Sequence, residues 1–247
     1  MLLRPGYSAA GMEVLERAKE IGWYHTIELA PGHVTEGMFD LRDQLAGYGL
    51  PERLDGKRVL DVGTWDGFWA FEMERRGAAE VVSLDLDWEQ DLDWPPRRRP
   101  ATFPDAPRGQ GFSIAHEALG SKVERMNLSI YHATPEEIGT FDFVFCGSVL
   151  IHLRDQLLAL ERIANLCTDM FVSAEEYDKR ANLVPFPVSR YHADRDKAVV
   201  FWLPSIKTWK RMLWTAGFDR VEQYSRFKVV AREGWSVPHV VHHAHKK

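Results

Sequence analysis

Two cysteines are all that the 247 residues hold. Cys146 and Cys167 have no metal-ligand spacing and sit in apolar stretches, so buried reduced thiols in a cytoplasmic protein are expected, not a disulfide framework. No apolar run approaches the ~20 residues that a membrane-crossing helix needs. The apolar start Met1-Leu2-Leu3, followed by Arg4-Pro5-Gly6, is too short for a secretory signal. Positive charge is not in excess: 31 Lys and Arg face 36 Asp and Glu, a net charge of −5. That balance argues against a nucleic-acid partner while allowing a local basic patch. Internal repeats and low-complexity tracts are absent. So are two phosphate-binding patterns, the Gly-x-Gly-x-x-Gly dinucleotide turn and a Gly-Lys-Ser/Thr loop.

What the chain does have is a strand running into a glycine turn. Val59-Leu60-Asp61-Val62 reads as buried strand, and Gly63-Thr64-Trp65-Asp66-Gly67 as the turn. A helical pattern follows, then a second apolar strand, Val81-Val82-Ser83-Leu84, closed by Asp85. Glycine permits positive φ and close ligand approach. The helix start offers unpaired N–H groups. An acid roughly 20 residues after the turn can accept hydrogen bonds from ribose hydroxyls. Together these features point to a nucleoside pocket.

Periodicity predicts helices over 8–21, 39–48, 67–76, 112–120, 153–165 and 205–216. It predicts strands over 58–62, 80–85, 123–129, 141–146, 170–174, 218–224 and 227–231, the last two as a hairpin-like pair at the sheet edge. Residues 23–29 look extended up to the Pro31-Gly32 turn. The alternation gives an α/β fold: a doubly wound, Rossmann-like, mostly parallel seven-stranded sheet with an N-terminal helical and extended cap. The expected division is a cap over 1–56 and a cofactor-binding domain over 57–247, with inserted loops at 87–111 and 178–204. The first loop carries the run Arg97-Arg98-Arg99, read as a solvated segment. The tail histidines His239, His242, His243 and His245 are read as a frayed edge strand.

The turn Asp61-x-Gly63-x-x-x-Gly67 resembles motif I of class I S-adenosylmethionine (SAM) methyltransferases, departing from it at Trp65, where the motif has a glycine. Phe141-Asp142-Phe143-Val144 through His152-Leu153 resembles motif IV of the same family. With Asp85, the ordered matches cover residues 57–175. A narrower resemblance, carried by Trp23-Tyr24-His25, Pro31-Gly32, Thr35-x-Gly37-x-Phe39-Asp40, Phe201-Trp202-Leu203-Pro204-Ser205 and Ala216-Gly217-Phe218, is to the tRNA wobble-uridine carboxymethyltransferase-like group. That group holds the extra carboxylate of a carboxylated SAM with a lysine and a tyrosine. Met38 and Ile151 stand at those places here, and the group's longer N-terminal extension has no counterpart. The resemblance therefore implies a relative that uses ordinary SAM on a different acceptor.

It also implies roles. Asp61, Gly63, Thr64 and Gly67 are expected around the methionine and ribose of SAM. Asp85 is expected on the ribose and Leu86 by adenine. Ile130 and Tyr131 should finish the adenine edge, with His132 near the place where relatives often carry an acid. Gly147 and Ser148 should lie beside the sulfonium. A hydroxyl acceptor needs a general base of near-neutral pKa, and His152 and His25 are the candidates. Trp23, Tyr24, Glu175, Glu176, Arg190 and Tyr191 are expected at the acceptor. Glu175 and Glu176 are also possible ligands for Mg²⁺, which takes oxygen donors. The function expected is transfer of a methyl group to a hydroxyl of a small molecule such as a sugar, with an RNA methyltransferase as the alternative. The oligomeric state is left open.

Overall fold

Strands buried on both faces mark the centre of a sheet. Val59, Leu60, Val144 and Phe145 are essentially inaccessible, and they come from the two strands that sit side by side in the middle. The computed structural model describes residues 9–94, 105–192 and 200–247. Its central sheet has seven strands: β1 (Arg58–Val62), β2 (Glu80–Asp85), β3 (Glu124–Asn127), β4 (Phe141–Gly147), β5 (Cys167–Glu176), β6 (Arg220–Val230) and β7 (Ser236–His245). The order is β3-β2-β1-β4-β5-β7-β6. Strands β1 to β5 pair in parallel, and β7 runs antiparallel to both of its neighbours.

Helices cover both faces. Helices α1 (Ala9–Arg17), α2 (Phe68–Arg75) and α3 (Gln110–Leu119) pack on one side, where Leu15, Phe71 and Phe112 join Phe145 and Val172. Helices α4 (Gln156–Leu166) and α5 (Ile206–Thr215) pack on the other, where Leu160, Ile163 and Trp209 join Val144 and Phe171. The direction in which successive strands are added to the sheet reverses between β1 and β4, which leaves a crevice outside their carboxyl ends. Doubly wound sheets bind ligands at that switch point. No helix among the described residues is long and apolar enough to cross a membrane.

Several boundaries differ from the sequence reading, each for a local reason. The helix expected over 39–48 is a 3₁₀ turn, Arg42–Gln44, followed by Leu45–Tyr48. Phe39 stays extended because its backbone bonds to Tyr24 and Thr26. The two strands expected over 218–231 are one strand, β6. A shift in register between Gln223 and Ser225 breaks its alternation, as a bulge does. The hairpin partner is β7, and here the expectation of a frayed edge is overturned. Strand β7 lies inside the sheet, and its His239 and His242 are buried. The run Arg97-Arg98-Arg99 lies outside the described residues.

Burial holds the His239 and His242 imidazoles at a pKa of about 4, below the ordinary 6.5. The unfolded chain therefore takes up protons first as pH falls. Stability from these groups is present above pH 6.5 and is lost as pH falls toward 4. At pH 5 the loss is about 2 kcal/mol for each histidine. Asp61 and Glu175 act in the opposite sense, since burial raises them to about 7 and about 8. The comparison that isolates the histidines is wild type against the His239→Gln/His242→Gln double variant, by urea unfolding at pH 7.5 and pH 5. The variant is expected to show a smaller acid loss by about 2 kcal/mol per histidine; equal losses contradict it.

Candidate functional site

The glycine turn is built as its sequence suggests. Gly63 and Gly67 adopt φ of 77° and 91°. A Cβ at Gly63 would come within 2.3 Å of the Val149 side chain, so this position has room only for glycine. Trp65, the departure from the motif, keeps the glycine conformation at φ 52°. A non-glycine residue held there costs about 1–3 kcal/mol, and the return is a backbone N–H aimed at Asp85.

The Asp85 carboxylate accepts from Trp65 N at 2.7 Å and Leu86 N at 2.8 Å. Arg108 adds an ion pair at 3.3 Å, and a second to Glu89 at 2.7 Å. Its guanidinium lies 4.1 Å from the Trp65 ring centroid. Arg108 and Trp65 therefore flank the acid expected to meet ribose. Arg108 was not legible as a site residue, because it lies 23 positions from Asp85 in sequence beyond an irregular loop. Ile130 is buried against the β2 side of the sheet. The Tyr131 hydroxyl is committed to structure: it donates to Asp93 at 2.8 Å and accepts from Asp155 N at 3.0 Å.

The N-terminal cap closes over the same turn. Asp66 Oδ2 accepts from the Tyr24 and His25 amides at 3.0 and 2.8 Å, and Asp66 Oδ1 lies 2.5 Å from His25 Nδ1. Both side chains are buried. A carboxylate on Nδ1 fixes the imidazole's orientation and leaves Nε2 as its second nitrogen. The sequence reading identified His25 without this partner, although an acid inside the glycine turn was the available signal. Tyr24 packs its ring 5.1 Å from Trp65 and 4.7 Å from His25. Burial, with the Asp66, Glu175 and Glu176 charges, pushes its phenol pKa up. Trp23 corrects the acceptor expectation. It is buried in the core, its indole N–H donates to Ala18 O at 2.8 Å, and it serves packing.

At the end of β4, Gly147 is followed by Ser148, which adopts φ 58° and hydrogen-bonds through Oγ to His239 Nε2 at 2.7 Å. His152 ends the 3₁₀ turn Leu150–His152. At the end of β5, Glu175 is buried, and its Oε1 accepts from Val149 N and Leu150 N at 3.2 and 3.1 Å. Glu176 is half-buried, and burial raises its carboxyl pKa. Beside it opens a cleft of about 430 Å³ lined by Glu176, Tyr177, Asp178, Lys179, Arg180 and Arg190 among others. Asp178 pairs with Arg190 there and accepts from the Arg180 and Ala181 amides at 2.7 and 3.1 Å. Tyr191 is exposed, with its ring 4.7 Å from Trp202. Among the described residues no three His, Cys, Asp or Glu side chains converge as metal ligands.

Comparison with known proteins decides the family. The profile of the methyltransferase domain family matches residues 32–223. The chain belongs to that methyltransferase family. It is 31% identical over 168 residues to the tRNA U34 carboxymethyltransferase of Pseudomonas aeruginosa (strain LESB58), a match covering 67% of this chain and 46% of that one. The counterpart from Ectopseudomonas mendocina is 29% identical over 171 residues, covering 68% and 47%. The chain thus spans about half the length of the curated relatives it matches. Among solved structures, the N-terminal domain of EvdMO1, determined in the presence of SAH and D-fucose, superposes with a TM-score of 0.64 at 18% identity. That match covers 99% of this chain and 100% of the other, and establishes the shared fold. The sheet order of this methyltransferase and its glycine turn agree with the cofactor read from the sequence, and a second structure of the same EvdMO1 domain has SAH bound.

Proposed function

We propose that this methyltransferase moves the methyl group of SAM to a hydroxyl of a small polyhydroxylated molecule, such as a sugar. The observation that carries the acceptor class is the cleft at the end of β5. Its Glu176 carboxylate and its Arg190 guanidinium, held in place by Asp178, offer a neighbouring acceptor and donor of the kind that bind hydroxyls. The neighbour studied in the presence of D-fucose supports the same class.

The residues present fit SAM. The Asp61 carboxyl and the Thr64 hydroxyl are buried side by side in the turn, and Asp61 Oδ2 and Thr64 Oγ1 make no hydrogen bond of full geometry, which leaves room for a polar ligand. When bound, SAM supplies a methyl group on a sulfonium. Asp61, Gly63, Thr64 and Gly67 hold the methionine and ribose end. Asp85 takes the ribose hydroxyls. Leu86, Ile130 and Tyr131 flank adenine, and Gly147 and Ser148 stand at the sulfonium. Most of the acceleration of an in-line displacement comes from alignment of its three centres. His25, oriented by Asp66, takes the proton of the acceptor hydroxyl at Nε2. His152 is the second candidate for that step. Arg190 and Glu176 orient the acceptor, and the exposed Tyr191 stands at the rim.

A second reading, transfer to tRNA, is favoured by the identity to tRNA U34 carboxymethyltransferases. Methyl-labelled SAM incubated with a low-molecular-weight metabolite extract and with total tRNA separates the two. Label in the small-molecule fraction supports the proposal, and label confined to tRNA overturns it. A related expectation concerns carboxylated SAM. Met38 is exposed and Ile151 is 5% exposed, and neither offers a donor to a carboxylate. Leaving that carboxylate unpaired is costly. In competition binding, carboxylated SAM should show no advantage over SAM; a clear preference for it contradicts the reading of these two positions.

A further inference from the structure

A third buried oxygen at this edge also lacks a partner: Glu175 Oε2. Glu175 comes from β5, two strands away from Asp61 and Thr64. Its Oε1 is fixed by the Val149 and Leu150 amides, in the turn whose Val149 packs against Gly63. Glu175 is therefore tied to the wall of the cofactor crevice while its second oxygen remains unspent. Asp61 and Glu175 also act on one intervening group. Together with burial they push the Cys146 thiol well above its usual range. Two buried carboxylates thus stand on either side of β4 at the carboxyl edge, Asp61 on the face of Val59 and Glu175 on the face of Cys146. A ligand that meets both lies across the edge, and among the described residues neither is in a salt bridge with lysine or arginine. A buried carboxylate oxygen without a hydrogen bond or counter-charge is costly. A cationic ligand offsets the cost for both.

We propose that Glu175 is a cofactor-binding residue, its free oxygen facing, with Asp61, the cationic methionine end of SAM. This rests on the SAM reading above and replaces the acceptor or metal role expected for Glu175. SAM carries an ammonium, an α-carboxylate and a sulfonium at that end and is net positive there, whereas its demethylated product SAH keeps only the ammonium and the carboxylate and is net neutral. A fixed positive charge favours the ionised carboxylate. Burial holds Asp61 and Glu175 at about 7 and about 8, so a cation arriving near pH 7.5 drives protons off, and affinity weakens as pH falls below 7. Other titratable groups face this pair: Cys146 on β4, Tyr24 and His25 from the cap, and Asp85 at the end of β2. Changing Glu175 alone separates its share from theirs.

The test is calorimetric titration of SAM into the full chain at pH 7.5, in two buffers of different ionisation enthalpy. Wild type should release protons on binding SAM. Glu175→Gln keeps an oxygen for the Val149 and Leu150 amides. It should bind SAM about 10- to 100-fold more weakly and release fewer protons. Wild type that binds SAM without proton release overturns the proposal, whether or not the variant folds. So does a folded Glu175→Gln variant with SAM affinity within about twofold of wild type and unchanged release. If Asp85→Ala loses affinity in that case, the SAM reading stands and only the role of Glu175 falls. If wild type does not bind SAM, both fall.

Discussion

Replacing His25 by alanine is expected to lower kcat by about 10²–10⁴-fold while leaving SAM affinity nearly intact. Methylation of a hydroxyl requires loss of its proton as the O–C bond forms. An imidazole oriented by a carboxylate is a suitable base, because the carboxylate both fixes the ring and stabilises the imidazolium. His25 has that carboxylate in Asp66, at 2.5 Å, and lies stacked against Phe68 at the start of α2. Asp66→Asn is expected to give a smaller loss, since it keeps an acceptor for the Tyr24 and His25 amides but not the charge. Asp66 also ties the cap to the glycine turn through those amides. Thermal unfolding of both variants and the pH profile of kcat therefore accompany the rate measurement. A purely structural role for the pair would lower stability without moving the acid limb of the profile. His152→Ala is the control. If it alone slows turnover, the base is the histidine after β4, and if neither change does, a histidine mechanism is wrong.

Asp85→Ala is expected to weaken SAM binding by about 1–3 kcal/mol, the usual loss for hydrogen bonds to a charged group. The carboxylate is held in place by Trp65 N and Leu86 N, so its oxygens are preorganised for ribose. The substitution also leaves Arg108 with Glu89 as its remaining acidic partner. Asp85→Asn, which retains one acceptor oxygen, should fall between alanine and wild type. Calorimetry with SAH reads the effect without an acceptor, and unchanged affinity in Asp85→Ala removes the ribose assignment.

The core of this fold was legible because its strands carry one message. Arg58–Val62 and Glu80–Asp85 are mostly apolar, each with an acid at or next to its carboxyl end, and the structure places both strands where the sequence did. Strand β7 was misread because its signals conflict. It carries Pro238 and four histidines, which suit an exposed edge. Yet Pro238 lies one residue beyond the last pair with β5, His239 with Glu176, so its missing N–H costs no bond in that ladder. Burial favours the neutral form of His239, His242 and His243; His239 is partnered by Ser148 and His243 by Tyr48 O at 3.2 Å, while the buried Nε2 of His242 has no partner. The candidate site residues within the motifs are read from spacing and resemblance. Their supporting partners, Asp66, Arg108 and His239, are not, because each contact joins segments brought together only by the fold. Trp65 shows the converse. Its side chain departs from the motif, while its backbone keeps the glycine conformation that the motif exists to provide.

A SAM site at the carboxyl ends of β1, β2 and β4 is tested most directly by a crystal structure of the chain with SAH. The expected result is SAH with its ribose on Asp85 and its methionine end against Gly63, Asp61 and Glu175. SAH bound elsewhere, or failing to bind at millimolar concentration, would contradict it.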